Sequence, residues 1–136
     1  MPPRRAFVVL AAAALALGAA SFSYGFTALP LRWLVRGHLG DLAAAALVCA
    51  LLGLVVRAPI AARAAVAAAL VAGIELAQRR GDPGGGTAGA LVLGAHFDPW
   101  DLGAYALGIA LAVAWERRAR RGAAQSTVRC PARILW

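Results

Sequence analysis

Three carboxylic acids stand out because each lies near the end of a long apolar stretch. They are Asp41, Glu75 and Asp101, and they are the candidates for general acid or base catalysis. An ionisable group in or beside a membrane span costs about 2.5–3.5 kcal/mol on insertion scales, so such groups normally turn inward and pair. A carboxylic acid in an apolar site is able to donate a proton or to bind a cation. These residue types therefore predict a buried polar site.

Further polar residues are candidates for binding at the same site: Arg36, His38, Gln78, His96, Asp98 and Tyr105. Three pairs have members that are three or four residues apart and so share a helix face: His38 with Asp41, Glu75 with Gln78, and Asp101 with Tyr105. Five of the six acidic residues fall on one predicted side of the membrane: Asp41, Glu75, Asp82, Asp98 and Asp101. The pattern predicts an outward-facing pocket lined by carboxylates.

Structural explanations compete with the functional one. The segment Asp98-Pro99-Trp100-Asp101 is a favourable helix start, because aspartate caps it and proline suits the first turn. Its second aspartate is harder to explain in this way, since a helix over 99–115 is only about 26 Å long and must draw its start into the bilayer. Glu75 lies a turn inside its span, and a structural ion pair with Arg36 or Arg32 is the alternative to a functional role.

No metal site and no cofactor are predicted. His38 and His96 lack the ligand spacing of a motif such as H-E-x-x-H, so they are interpreted as interfacial histidines. The pair Asp98-x-x-Asp101 is similar to acidic pairs that hold Mg²⁺ on a diphosphate, but this spacing is too common to indicate one. The glycines at 84–86 lack the lysine and the strand-to-helix context of a phosphate-binding loop.

The composition is typical of a membrane protein. Hydrophobic residues make up 62% of the chain, and the mean hydropathy is +0.72, which is too apolar for an ordinary soluble domain. All 14 basic residues are arginine, and the net charge is +8. Six arginines follow Glu116, where a basic tail sets topology and touches anionic lipid, so no nucleic-acid partner is expected. Cys49 and Cys130 are too far apart in depth for a disulfide.

The apolar stretches predict an all-α integral membrane bundle of four transmembrane helices within one domain, residues 1–116. The predicted spans cover residues 6–26, 38–56, 60–78 and 99–115, followed by a basic cytoplasmic tail over 117–136. The run 87–97 is too short to cross a core of about 30 Å, so a short re-entrant or interfacial segment is expected before the fourth span. The first stretch also has features of a signal peptide, but its length favours a retained helix.

Charge predicts the orientation of the bundle. With four spans, 10 arginines fall on one side and 4 on the other, which places both termini in the cytoplasm of a multi-pass protein of the cell membrane. Short links favour an up-down packing order. Several small residues are expected to bring the helices close together: Gly40, Ala69, Gly73, Gly94 and Gly108.

The motifs occur in a recognisable order. Thr27-Ala28-Leu29-Pro30 is followed by Arg36-Gly37-His38-Leu39-Gly40-Asp41 and by Ile74-Glu75-Leu76-Ala77-Gln78, and then by residues 89–94 (GALVLG) and 97–108 (FDPWDLGAYALG). Over residues 23–116 the chain resembles the family of small four-helix bacterial membrane proteins called domain of unknown function 2809. It is more distantly similar to VanZ-like proteins, which are associated with glycopeptide (teicoplanin) resistance.

The resemblance implies a shared polar core but no established activity. The implied core residues are Asp41, Glu75, Gln78, Asp101 and Tyr105. The chain departs from the family at His38, where tyrosine is common, and at Ala44, where tryptophan is common. The loop over residues 79–86 also lacks the family's aromatic residues and proline-tryptophan pair. A ligand that contacts this loop would therefore differ from one bound by other members.

Three functions remain open at the level of sequence. The first is binding of, or resistance to, an amphiphilic small molecule or an envelope precursor. The second is an intramembrane enzyme, such as a cyclase or isomerase, that uses Glu75 or Asp101 as general acid or base on a lipophilic intermediate. The third is a non-catalytic assembly partner. A transporter is less expected, because four short helices offer no duplicated halves. The expected partners are the lipid bilayer and a lipophilic small molecule, and a homo-oligomer stays open.

Overall fold

The computed structural model describes residues 4–22, 32–79 and 99–128, and for residues 22, 32–37, 77–79 and 126–128 only the backbone is described. These residues form four helices, which we number in chain order: α1 (Arg4–Phe22), α2 (Arg32–Val55), α3 (Ile60–Arg79) and α4 (Pro99–Val128). The prediction of an all-α bundle is confirmed. The predicted segment over 87–97 lies outside the described residues.

Helix α2 is the centre of the bundle. It packs extensively against α1 and α4, and less so against α3. Helices that follow one another in the chain run in opposite directions, so α1 and α3 end where α2 and α4 begin. We call this the acidic end, since Asp41, Glu75 and Asp101 all lie there. The opposite end, where Arg4, Arg63 and Arg120 lie, is called the basic end.

Small residues bring α2 close to α4 and α1. A Cβ atom at Gly108 would overlap the carbonyl oxygen of Leu42 and lie 3.1 Å from the Cβ of Ala45. The packing role predicted for Gly108 is therefore confirmed. At Gly40 a Cβ would lie an ordinary 3.6 Å from the Oγ of Ser21, so this position has room for a methyl group. Gly94 lies outside the described residues.

The expected packing role of Ala69 and Gly73 is wrong. Both residues are exposed, and a Cβ at Gly73 would meet nothing within 4 Å. The small residues of α3 that are buried lie elsewhere, as at Ala67. The spacing identified a face of α3 that carries small residues, but α3 packs against its neighbours through a different face.

Two helix boundaries also differ from the prediction. Helix α2 begins at Arg32 rather than at residue 38, so Arg32, Trp33 and Arg36 are helical instead of lying in an interfacial loop. Helix α4 continues to Val128 and does not end at Trp115. Its extension is rich in arginine and alanine, which are good helix formers, and residues 116–121 contain neither glycine nor proline.

The distribution of side chains is the reverse of that in a soluble bundle. The buried positions are mostly alanine, together with charged residues such as Arg63, Glu75 and Glu116. Large apolar side chains are exposed on all four helices, among them Val8, Leu51, Leu70 and Leu111. Soluble proteins seldom bury charge or expose so many large apolar side chains, whereas helices packed in lipid rely on small residues at their contacts.

In the described part of the chain, two helices are long and apolar enough to cross a membrane. They are Arg4–Ser21 and His38–Val55, with mean hydropathies of 1.5 and 2.0. Membrane-like helices are thus present among the described residues. That all four helices cross a membrane stays a prediction.

Candidate functional site

Two hydrogen bonds join α2 to α4 at the acidic end. The Nδ1 atom of His38 lies 2.9 Å from Oδ1 of Asp101, and the hydroxyl of Tyr105 donates to Oδ1 of Asp41 at 3.1 Å. The two helices run in the same direction here, so residues one turn apart on α2 meet residues one turn apart on α4. The shared helix faces inferred from spacing, for His38 with Asp41 and for Asp101 with Tyr105, are confirmed.

Helix α3 adds the member of the cluster with the smallest exposed fraction. The side chain of Glu75 is 3% exposed, and its Oε2 atom has no hydrogen-bond partner among the described residues. Its carboxylate interacts electrostatically with Tyr105 and Asp101. We call these five residues, contributed by three helices, the polar cluster: His38, Asp41, Glu75, Asp101 and Tyr105.

The polar cluster brings together groups able to move protons. An aspartate that holds an imidazole nitrogen fixes the orientation and the tautomer of the ring, which is a common arrangement for a general acid or base. The carboxyl groups of Asp41, Glu75 and Asp101 also lie close enough to interact electrostatically. The Glu75 oxygen that has no partner in the described part of the chain is an acceptor for a ligand with a hydrogen-bond donor or a positive charge.

The same residues offer a set of atoms that could hold a metal ion. One ligand atom each from His38, Asp41 and Asp101 lies within 4.8 Å of the others. Imidazole nitrogen and carboxylate oxygen are ligands that several divalent cations accept. Some of these ligand atoms already take part in hydrogen bonds between α2 and α4. His38 is hydrogen-bonded to Asp101, and Asp41 accepts a hydrogen bond from Tyr105.

The structure thus brings together five of the nine residues proposed from the sequence. The other four lie where their side chains are not described: Arg36, Gln78, His96 and Asp98. The expected ion pair between Glu75 and Arg36 or Arg32 falls outside the described side chains for the same reason.

A second buried charge cluster, at the basic end, was missed by the sequence analysis. Glu116 of α4 accepts a hydrogen bond from Arg63 of α3 through its Oε1 atom. Arg120, one turn further along α4, donates to the same oxygen from Nε at 3.1 Å and from Nη2 at 2.7 Å. Arg63 and Glu116 are each only 6% exposed. The sequence did offer a signal for this pair. Arg63 lies a turn inside the predicted span 60–78, and Glu116 is the one acidic residue predicted on the same side of the membrane.

These features define an all-α bundle with helices that resemble membrane spans and with a polar cluster between three of its helices. Over residues 31–109 the chain matches the family described as protein of unknown function (DUF2809), and it belongs to that family. The match includes every residue of the polar cluster and Gly108. The searches of curated proteins and of solved structures found no match. The more distant similarity to VanZ-like proteins stays a prediction.

Proposed function

We propose that this protein is a four-span protein of the cell membrane that binds an amphiphilic molecule through its polar cluster. The supporting observation is the buried Glu75 carboxylate, which lies beside Tyr105 and Asp101 and has one oxygen without a hydrogen-bond partner among the described residues. A buried carboxyl group is costly unless its polar atoms are compensated, and ionisable groups within membrane spans commonly mark functional sites. The unsatisfied acceptor is a reason to expect a ligand that completes it.

The chemistry of the cluster suggests the kind of head group that it binds. Three carboxylates favour a ligand with a positive charge or with several hydrogen-bond donors. The apolar faces around them favour a hydrocarbon tail. Small cationic amphiphiles fit this description, and binding such a molecule would support a role in resistance.

The proposed four-span arrangement is supported by the exposed apolar side chains on all four helices. Helices α3 and α4 expose large apolar side chains, as α1 and α2 do. Helix α1 is packed into the bundle, since the indole Nε1 of Trp115 donates to the carbonyl oxygen of Ala6 at 2.9 Å and Ala14 is buried. This packing supports a retained first helix over a cleaved signal peptide. The arginine distribution supports a basic end that faces the cytoplasm.

Thermal unfolding of the purified full chain tests the proposal. We expect a cationic alkylammonium to raise the unfolding temperature more than a neutral alkyl glucoside of the same chain length does. A ligand present at about 100 times its Kd adds about 2.7 kcal/mol to stability. Glu75→Gln should fold and lose this selectivity. Equal effects of both amphiphiles on the wild type, or unchanged selectivity in the folded variant, would contradict the proposal.

An intramembrane enzyme is the second candidate, and the hydrogen bond between His38 and Asp101 favours it. A paired imidazole and carboxylate could transfer a proton to or from a lipophilic substrate. Mass spectrometry of a membrane-lipid extract incubated with the protein distinguishes this function from binding. Catalysis predicts a change of composition with the wild type and none with a folded His38→Gln variant. An extract left unchanged by the wild type would count against an enzyme that acts on such lipids.

A further inference from the structure

A cavity of about 450 Å³ lies at the basic end, away from the polar cluster. Its walls come from the start of α1, the end of α2, the turn over residues 56–59, and the neighbouring parts of α3 and α4. The residues that line the cavity include Arg4, Phe7, Gly53, Arg57, Arg63 and Arg120. Four arginines from four separate segments therefore line one cavity.

The positive charge around this cavity exceeds the negative charge. Glu116 is the carboxylate that the described residues place beside these arginines, and its Oε1 already accepts hydrogen bonds from Arg63 and Arg120. Arg4 and Arg57 are exposed and have no ion pair among the described residues. Four guanidinium groups thus face one carboxylate, and an anion in the cavity would offset the excess.

One arginine of this set, Arg63, also packs against an aromatic ring. The guanidinium carbon of Arg63 lies 5.3 Å from the centroid of the Phe7 ring, and its Nε has no hydrogen-bond partner among the described residues. The Phe7 ring in turn lies against Gly53, where a Cβ atom would overlap it. The Phe7 ring and the ion pair with Glu116 therefore position Arg63 at the cavity wall.

We infer that this cavity binds an anion that carries a phosphate group. The planar donor set of guanidinium matches phosphate oxygens, often through two parallel hydrogen bonds. A cavity of about 450 Å³ lies within the usual range of small-molecule sites, about 300–1,000 Å³, and exceeds the size of a lone phosphate ion. The phosphate belongs either to the head group of an anionic lipid or to a soluble phosphorylated compound. This inference does not depend on the polar cluster.

Binding to the purified full chain in detergent tests the inference with two probes. Inorganic pyrophosphate, measured by calorimetry, represents the soluble source. Phosphatidylglycerol, measured by native mass spectrometry against phosphatidylcholine, represents the lipid source. We expect at least one probe to bind the wild type. Binding of pyrophosphate alone would assign the soluble source, and selective binding of phosphatidylglycerol alone would assign the lipid head group.

Two arginine variants separate a built site from a generally basic surface. Arg57→Ala removes an exposed arginine of the cavity and should weaken binding about tenfold, as expected for a lost charge-assisted hydrogen bond. Arg118→Ala removes an exposed arginine of α4 outside the cavity, and it should bind like the wild type. If Arg57→Ala fails to fold, Arg4→Ala takes its place. No binding of either probe, or equal weakening by a cavity variant and by Arg118→Ala, would overturn the inference.

Discussion

Glu75 and Arg63 are both buried on α3, but only Arg63 has an opposite charge beside it among the described residues. Arg63 is paired with Glu116, whose carboxylate also binds Arg120. Removing one partner of a buried ion pair leaves the other charge without compensation. Removing a carboxylate that has no oppositely charged partner leaves no such uncompensated charge. The two acidic residues should therefore differ in what they contribute to stability.

We predict that Glu116→Gln destabilises the protein by about 3–5 kcal/mol, because Arg63 is left buried and unpaired. Glu75→Gln should leave stability unchanged or increase it. Unfolding of both variants in the same detergent by denaturant or heat provides the measurement. A loss at Glu75 as large as that at Glu116 would indicate a structural ion pair at Glu75 and would remove the main support for a functional role.

The direct hydrogen bonds of the polar cluster lead to a prediction about metal. His38 and Asp101, like Asp41 and Tyr105, satisfy each other without a cation. We expect EDTA to leave the unfolding temperature unchanged. Manganese or zinc, added after dialysis, should not raise it by more than magnesium does. A cation-specific rise that disappears in Asp101→Asn would show that His38, Asp41 and Asp101 form a metal site.

Much of the polar cluster could be predicted from spacing, but its pairing could not. Residues three or four apart share a helix face whatever the helix packs against. Which faces meet depends on the register of α2 against α4, and this register depends on close contacts such as that of Gly108 with Leu42. The pair of Arg63 and Glu116 was missed because its members are 53 residues apart and meet only through tertiary packing.

At the scale of the helices, the contact of α2 with α4 depends on the absence of a side chain at Gly108. We predict that Gly108→Ala destabilises the bundle by about 1–3 kcal/mol, because its Cβ would overlap backbone atoms of α2. Gly103 of the same helix meets nothing within 4 Å and is the matched control. Gly103→Ala should be neutral or stabilise by up to about 1 kcal/mol, as glycine-to-alanine changes in helices do. Equal yields and equal unfolding curves for both variants would contradict close packing at Gly108.

Helix positions could be predicted better than helix ends and helix faces. Long apolar runs separated by charge and proline located all four helices, and Pro99 was correctly placed at the start of α4. The predicted end at Trp115 was wrong because it assumed that the helix stops where the apolar residues stop. At about 1.5 Å per residue, the 30 residues of α4 span about 45 Å. In the proposed four-span arrangement, an apolar core of about 30 Å would leave the last turns of α4 outside the lipid.

At the scale of the whole molecule, the two charge clusters lie at opposite ends of one bundle. The polar cluster brings carboxylates together at the acidic end, and the arginine-lined cavity lies at the basic end. Exposed Trp100 and Trp115 lie near the two ends of the apolar part of α4, where tryptophan commonly marks the membrane interface. Lipid between these levels would cover the exposed apolar side chains. The two clusters would then face different compartments.

Labelling of single cysteines with a membrane-impermeant maleimide tests this two-sided arrangement most directly. Cys49 and Cys130 are first replaced by alanine, and one cysteine is then introduced at Trp100, at the acidic end, or at Ala58, in the turn at the basic end. We predict that Trp100→Cys is labelled in intact cells and that Ala58→Cys is labelled only after the membrane is permeabilised. Labelling of both positions from the same side, or of Ala58→Cys alone in intact cells, would contradict the proposed membrane arrangement.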